Sequence, residues 1–347
     1  MNINNIQKND NFYFVSGDNT TKDSAYYSLL IGIEAYLKTY YAVAMSLRSY
    51  CNEEEWINYA VQENDKYIEC YLNIAIHIQH FFELEIKRIL ESKHVLFAVD
   101  AKGDPLITHK LLHNIELQYE DTENLKSIEF SDALNRLIKL VDNNIIVDQV
   151  AKIFVTNKEL LRAINFLRNT TLHRGRRLMK YCSLDMLFAQ NLLPLIKEII
   201  EQPYYKLYKQ FFCDYGVYEI IDKIILEGNE SHPDYSHIAL LKEIGRCKLE
   251  LVSRPKLDES KDKEYIEKTI EKKMVYNYND VVKKDKRCPC CHYNTIFEGR
   301  EFMGYDIDEL GDEMGNGAGF QIIDIPDFEE YYECAWCGFK VSSFIEF

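Results

Sequence analysis

Two stretches of this chain carry residues at spacings that chemistry can use. The first is RNTTLHRGRR, Arg168 to Arg177, which sets arginines around a single histidine. On a helix, Asn169 and His173 are four apart and share a face, and Arg168 lies five residues before His173, about 7.5 Å along the axis. A long arginine side chain spans that gap. Metal-independent RNA cleavage needs a base for the 2′-hydroxyl proton, a donor for the developing phosphorane charge and an acid for the leaving oxygen. Histidine suits the first or last role, because its ordinary pKa of roughly 6.5 leaves both protonation states available near neutrality. Arginine suits the second, since its planar fork stays charged and pairs with phosphate oxygens. Arg174, Arg176 and Arg177 add a phosphate-positioning fringe, and Thr170 and Thr171 add hydroxyls. No Asp or Glu falls between Leu160 and Leu184, so the field is locally positive. The plainer alternative is a helix C-terminus whose cations complement its dipole.

The second stretch is a pair of C-x-x-C knuckles in RCPCCHYNTIF and YYECAWCGFKV: Cys288 with Cys291, and Cys334 with Cys337. Each knuckle turns tightly enough to aim two thiolates at one ion, and two together make the closed four-thiolate set of a structural Zn2+ site, one per chain. Four thiolates leave no open position for water, so the ion is read as structural rather than catalytic. Cys290 and His292 are adjacent spare ligands. The sequence between the knuckles, residues 292 to 333, is acidic from Asp306 to Glu330 and is expected to loop out as a solvated face or to mimic nucleic acid against the arginine fringe.

Helices must position the first set. From Asp23 to about Ser92, apolar residues recur three and four apart in two long runs, with Ser24 and Asn52 as N-cap candidates. DAKGDPLITHKLLHNIELQYEDTENLKS reads as a loop with a short helix. Helical patterning returns in FSDALNRLIKLVD, which Ser131 is placed to cap, in NKELLRAINFLRNTTLH, and in LDMLFAQNLLPLIKEIIEQ. His77 and His80 sit at a spacing that would also serve a metal, though two imidazoles on an apolar-rich helix read better as core or interface residues. Glu83 and Lys87, four apart, form an ion pair or face the cleft.

Formal net charge is -15 over 347 residues, which argues against a broad nucleic-acid coating but not against a local basic site. The polar start lacks a basic and an apolar region of the secretory kind, and no stretch is apolar for long enough to span a membrane. The expected location is cytoplasmic, with the scattered cysteines reduced.

Arg168-Asn169-Thr170-Thr171-Leu172-His173 matches the R-N-x-x-x-H signature of HEPN domains (higher eukaryotes and prokaryotes nucleotide-binding), and the surrounding helices resemble that family as well. HIQHFFELEIKRIL, His77 to Leu90, is similar to the long helix that carries a glutamate and, one turn on, a lysine; Glu83 and Lys87 take those places. EFSDALNRL, Glu129 to Leu137, resembles the helix after the variable insert. The first knuckle resembles the cysteine-rich CPCC family of ribbons, with a longer insert.

The resemblance implies a mainly α fold: a HEPN-like antiparallel helical bundle over 23–227, after a polar extension at 1–22, then a charged linker with a helix at 228–280 and a small β-rich zinc ribbon at 281–347. It implies a homodimer whose two-fold axis brings two copies of the motif together, with His173 in acid/base chemistry, Arg168 on the scissile phosphate, Asn169 orienting the phosphate or the partner histidine, and Glu83 tuning the site. The expected activity is an endoribonuclease leaving 2′,3′-cyclic phosphate ends, acting as a toxin or antiviral defence effector under a regulatory or antitoxin protein. The alternative is a non-catalytic dimer that binds nucleotide, nucleic acid or a protein.

Overall fold

A computed structural model describes residues 23–42, 57–58, 61, 64–100, 104–113, 115–117, 121, 125–174, 178–251, 267–268, 286–310 and 321–342. The described chain is mainly helical, with one two-stranded and one three-stranded antiparallel sheet. It divides into two compact units that interleave along the sequence. One takes Met1–Tyr36, Ile68–Met179 and Leu187–Asp214; the other takes Leu37–Tyr67, Lys180–Met186 and Tyr215–Phe347.

In the first unit, α1 (Ser24–Lys38) begins behind Asp23, whose Oδ1 accepts from the Tyr26 amide at 2.8 Å. Asp23 is therefore the cap, and Ser24 is already helical. The second long helix, α2 (Asp65–Glu91), starts later than its periodicity suggests and is capped by Asn64, which accepts from the Tyr67 amide at 3.1 Å. Asn52, the expected cap, lies outside the described residues. A buried Gly32 lets α1 approach α2 closely, and an added Cβ there would meet Ile78 at 2.6 Å. One turn earlier on α1, the Ser28 hydroxyl and His80 Nδ1 are 2.8 Å apart.

The segment after α2 is more ordered than its punctuation implies. Asp104 caps α3 (Pro105–Leu112), with proline at the first position, and β1 (Val99–Asp100) pairs with β2 (Lys126–Ser127). Ile107 and Leu111 form a small core there with Val95, Leu96, Val99, Leu117 and Leu125. Arg136 fastens this insert, its Nη1 donating to the carbonyls of Leu96, Phe97 and Val99 at 3.1, 3.0 and 3.3 Å.

Arg136 belongs to α4 (Phe130–Asp142), which buries Phe130, Ala133, Leu134 and Leu137 at a spacing of three and four. Its N-cap is Glu129 and no side chain caps it, so Ser131 lies in the first turn and does not cap. A helix absent from the expected set, α5 (Gln149–Thr156), starts at the capping carboxylate of Asp148. It packs on α4 and on α6 (Lys158–Arg174).

Next, α7 (Tyr181–Leu187), assigned to the second unit as far as Met186, is followed in sequence by one π turn, Phe188–Leu192, and by α8 (Leu193–Ile200) of the first unit. Pro194 accounts for that turn: it has no N–H to return to Gln190, and the wider register absorbs the loss. After α8, α9 (Lys206–Asp214) completes the unit.

The second unit is built on α10 (Val217–Gly228) and α11 (Tyr235–Leu251). Its polar core is unusual. Lys242 is fully buried and donates to Thr39 Oγ1, Tyr181 OH and Asp185 Oδ1 at 2.9, 2.8 and 2.6 Å. Glu243, also fully buried, holds Arg246 through two bonds of 2.6 Å and accepts the Lys340 amide at 2.9 Å. These bonds tie α11 to the C-terminal sheet, where β3 (Ile296–Leu310), β4 (Gln321–Cys334) and β5 (Lys340–Ser342) lie in that order. The expected looped-out insert is a long hairpin: β3 and β4 pair from Ile296↔Cys334 to Leu310↔Gln321, while β5 covers only Tyr331–Glu333.

Candidate functional site

Three elements of the first unit enclose a polar cavity of about 480 Å³. α2 supplies Gln79 and Glu83, the start of α4 supplies Glu129, Phe130 and Ser131, and α6 supplies Asn165, Phe166 and Arg168 through Thr170. A second cavity of about 370 Å³ continues along the same face of α6 past Asn165 and Phe166 to Arg162, with Asn135 of α4 opposite. The stripe 162, 165, 166, 169 recurs at three and four residues, and position 173 is its next member.

Arg168 Nη1 donates to Asn169 Oδ1 at 2.9 Å. That bond directs the guanidinium while leaving four of its five N–H groups without a partner among the described residues. Asn165 Nδ2 donates to Ser131 Oγ at 3.1 Å, bridging α6 to α4. Thr170, expected to offer its hydroxyl, spends it on the Phe166 and Leu167 carbonyls at 2.6 and 3.0 Å. Thr171 is buried, with no partner for Oγ1 among the described residues.

Glu83 forms the ion pair with Lys87 and also lines the cavity, and it accepts Gln79 Nε2 at 2.8 Å. Burial works against its charge, but the hydrogen bonds from Lys87 and Gln79 outweigh that, and its pKa falls below the ordinary carboxylate value. His80, on the same helix, is pushed down first by burial; Glu83 raises it, while Lys87 and Arg168 lower it further. Its imidazole is neutral at pH 7, and neither His77 nor His80 belongs to any metal-competent group among the described residues.

His173 and Arg174 close α6, and their side chains lie outside the described set, as do Arg176 and Arg177 entirely. Gln79, Asn165 and Phe166 were not singled out from sequence, and Ser131 was read only as a helix cap. The four-residue steps 79–83–87 and 165–169–173 could have pointed to Gln79 and Asn165; no local spacing pointed to the other two.

The C-terminal knuckles converge as their spacing implies. Cys288 and Cys337 sulfurs are 3.4 Å apart, those of Cys291 and Cys334 are 3.6 Å apart, and all four lie within 4.8 Å of one another. Tetrahedral zinc with bonds of about 2.3 Å would hold its sulfurs about 3.8 Å apart, so the set fits such an ion. The two knuckles repeat each other: Cys288 N donates to Tyr293 O and His292 N to Cys288 O, while Cys334 N donates to Phe339 O and Gly338 N to Cys334 O. The residue after each second cysteine is left-handed, with φ of 60° at His292 and 74° at Gly338. His292 is exposed and outside the thiol group, so it turns the chain and is no ligand.

Amides support the sulfurs, with Cys290 N on Cys288 Sγ and Cys337 N on Cys334 Sγ. Hydrogen bonds from Cys290, Cys291 and Cys334 draw Cys288 down to about 4, and those led by Cys247 draw Cys337 down, whereas Cys290 and Cys291 rise. Such a cluster shares its protons unequally, and a cation would displace them.

No family model, curated protein or solved structure matches this chain. Among the described residues, no helix is long and apolar enough to cross a membrane.

Proposed function

We propose that this protein is a HEPN-type, metal-independent endoribonuclease that acts as a homodimer and carries a structural zinc in its C-terminal sheet. One observation carries the reading: Arg168 and Asn169, hydrogen-bonded to each other, stand on the wall of a polar cavity that also holds Glu83. Arg168 binds the scissile phosphate, and the first turn of α4, which no side chain among the described residues caps, adds N–H groups on the same cavity. His173 acts in proton transfer, and Asn169 orients the phosphate or the second histidine.

The 2′-oxygen attacks phosphorus as its proton passes to one imidazole. The P–O5′ bond breaks as the other imidazolium protonates the leaving oxygen, and the product is a 2′,3′-cyclic phosphate. One histidine per chain cannot easily serve both roles in one turnover, whereas a two-fold interface supplies the second copy. Phe166, 59% exposed on the cavity wall beside Asn165, favours single-stranded RNA, whose unpaired bases stack on aromatic rings. Zinc, held by Cys288, Cys291, Cys334 and Cys337, supplies folding energy and takes no part in the reaction. By the same resemblance the enzyme is a toxin or antiviral defence effector in the cytoplasm, restrained by a regulatory or antitoxin protein.

Incubating parent, Arg168→Ala and His173→Ala proteins with total RNA in EDTA, and mapping cut sites and end chemistry, tests this. The parent is expected to leave cyclic phosphate ends, and His173→Ala to lose about a hundred- to ten-thousandfold in rate. Equal cleavage by parent and variants overturns the assignment, and RNA binding without cleavage makes the protein a binding module.

A further inference from the structure

Two cysteines near the knuckles are left over by the four-thiolate set. Cys247 lies on α11 and is fully buried; Cys290 lies between the two ligands of the first knuckle and is 5% exposed. Sequence offers Cys290 as a substitute ligand for the first ion, yet its sulfur groups with a different set. The sulfurs of Cys247, Cys290 and Cys337 all lie within 4.8 Å of one another, and Cys337 is the one member shared with the four-cysteine group.

The surroundings of this second group suit bound anionic sulfur. Arg246 Nη2 donates to Cys247 Sγ at 2.9 Å and to the Gly338 carbonyl, next to Cys337, at 2.9 Å. A guanidinium thus sits against the triad as a donor to sulfur, while its charge is also shared with Glu243 and Glu250. Cys247 Sγ lies 3.5 Å from Glu243 Oε1, but among the described residues no carboxylate or imidazole joins the triad within its 4.8 Å span.

We infer that Cys247, Cys290 and Cys337 form a second metal site, for a soft d10 cation bound by three thiolates, with Cys337 bridging it to the zinc. A thiolate sulfur keeps enough lone pairs to bind two ions. Three sulfurs without a fourth donor mismatch zinc, which is almost always four-coordinate in structural sites, and match cuprous copper, which soft thiolates select. The inference is independent of the ribonuclease reading, because every residue in it belongs to the second unit.

The test uses the full-length chain, reduced and anaerobic, loaded with zinc and then with Cu(I) from a buffered chelator. After excess metal is removed, both are counted by mass spectrometry, and thiolate-to-copper charge transfer is read in the near ultraviolet. One zinc and one copper per chain are expected in the parent. Cys247→Ala and Cys290→Ala should keep the zinc and lose the copper and its absorption, the retained zinc and a single cooperative thermal transition showing that they fold. Copper that enters only by expelling zinc, copper that persists in both variants, or no copper in the parent overturns the site.

Discussion

At the scale of single residues, the candidate site is organised by short polar bonds between neighbours on adjacent turns and helices. Arg168 is aimed by Asn169, Asn165 is anchored on Ser131, and Glu83 is held between Gln79 and Lys87. The pairs spaced by four are legible in sequence, because a helix puts i and i+4 on one face. Ser131 opposite Asn165, thirty-four residues away, is not. His80 gives a pH-dependent consequence. It is bonded to Ser28 and surrounded by Glu83, Lys87 and Arg168, and its folded pKa lies below the ordinary 6.5, first through burial. Neutral imidazole is therefore the folded form. Its stabilising contribution is complete above 6.5 and is lost as pH falls through the depressed folded value; His77 shifts in the same direction. Thermal midpoints followed downward from pH 7.5 should decline in the parent and decline less steeply in His80→Gln. Parallel profiles would show that His80 is not the group responsible.

Elements bring these residues together through close packing and buried ion pairs. The approach of α1 to α2 depends on Gly32, because an added Cβ would meet Ile78 Cδ1 at 2.6 Å and Cγ1 at 2.9 Å. Helix propensity alone would make Gly32→Ala favourable by about 1 kcal/mol. Overpacking costs about 1–3 kcal/mol and wins, because Ile78 is 1% exposed and has nowhere to go. Urea unfolding should show Gly32→Ala less stable than the parent, with much of the loss recovered in Gly32→Ala/Ile78→Val. A stabilised single variant would mean that the two helices are further apart. In the second unit the same scale is governed by Lys242 and Arg246. Their buried partners make α11 intolerant of single charge deletions, since removing one member of a buried pair costs about 3–5 kcal/mol. The Lys242 network was not anticipated, because its members are far apart in sequence: Lys242 answers Thr39, Tyr181 and Asp185; Arg246 and Glu243 are three apart, but nothing local marks that pair as buried.

For the whole molecule, an ion held by Cys288, Cys291, Cys334 and Cys337 is expected to couple metal binding to folding of the second unit. Tyr293 and Trp336 stand edge to face at 6.0 Å, one just after the first knuckle and one inside the second. Stripping the metal with a strong chelator is expected to red-shift Trp336 fluorescence and lose near-ultraviolet ellipticity, and Cys334→Ser should reproduce both. Unchanged spectra in metal-free protein would mean that the thiols pack without an ion. Sequence alone determined the four knuckle cysteines, whose C-x-x-C spacing is local geometry. It also determined the mainly helical character and α4 and α6 nearly to the residue, because their apolar periodicity and buried faces agree. The cap of α1 is Asp23 rather than Ser24, and the N-cap position of α4 is Glu129, with no side-chain cap, rather than Ser131, since which polar group meets a helix start depends on where the chain enters. Only the tertiary structure decided that Gln79, Ser131 and Asn165 share a cavity with Arg168, and that Cys247 of α11 meets Cys290 and Cys337. Those groupings join residues dozens of positions apart, and proximity of that kind is set by how whole helices pack rather than by any repeat written along the chain.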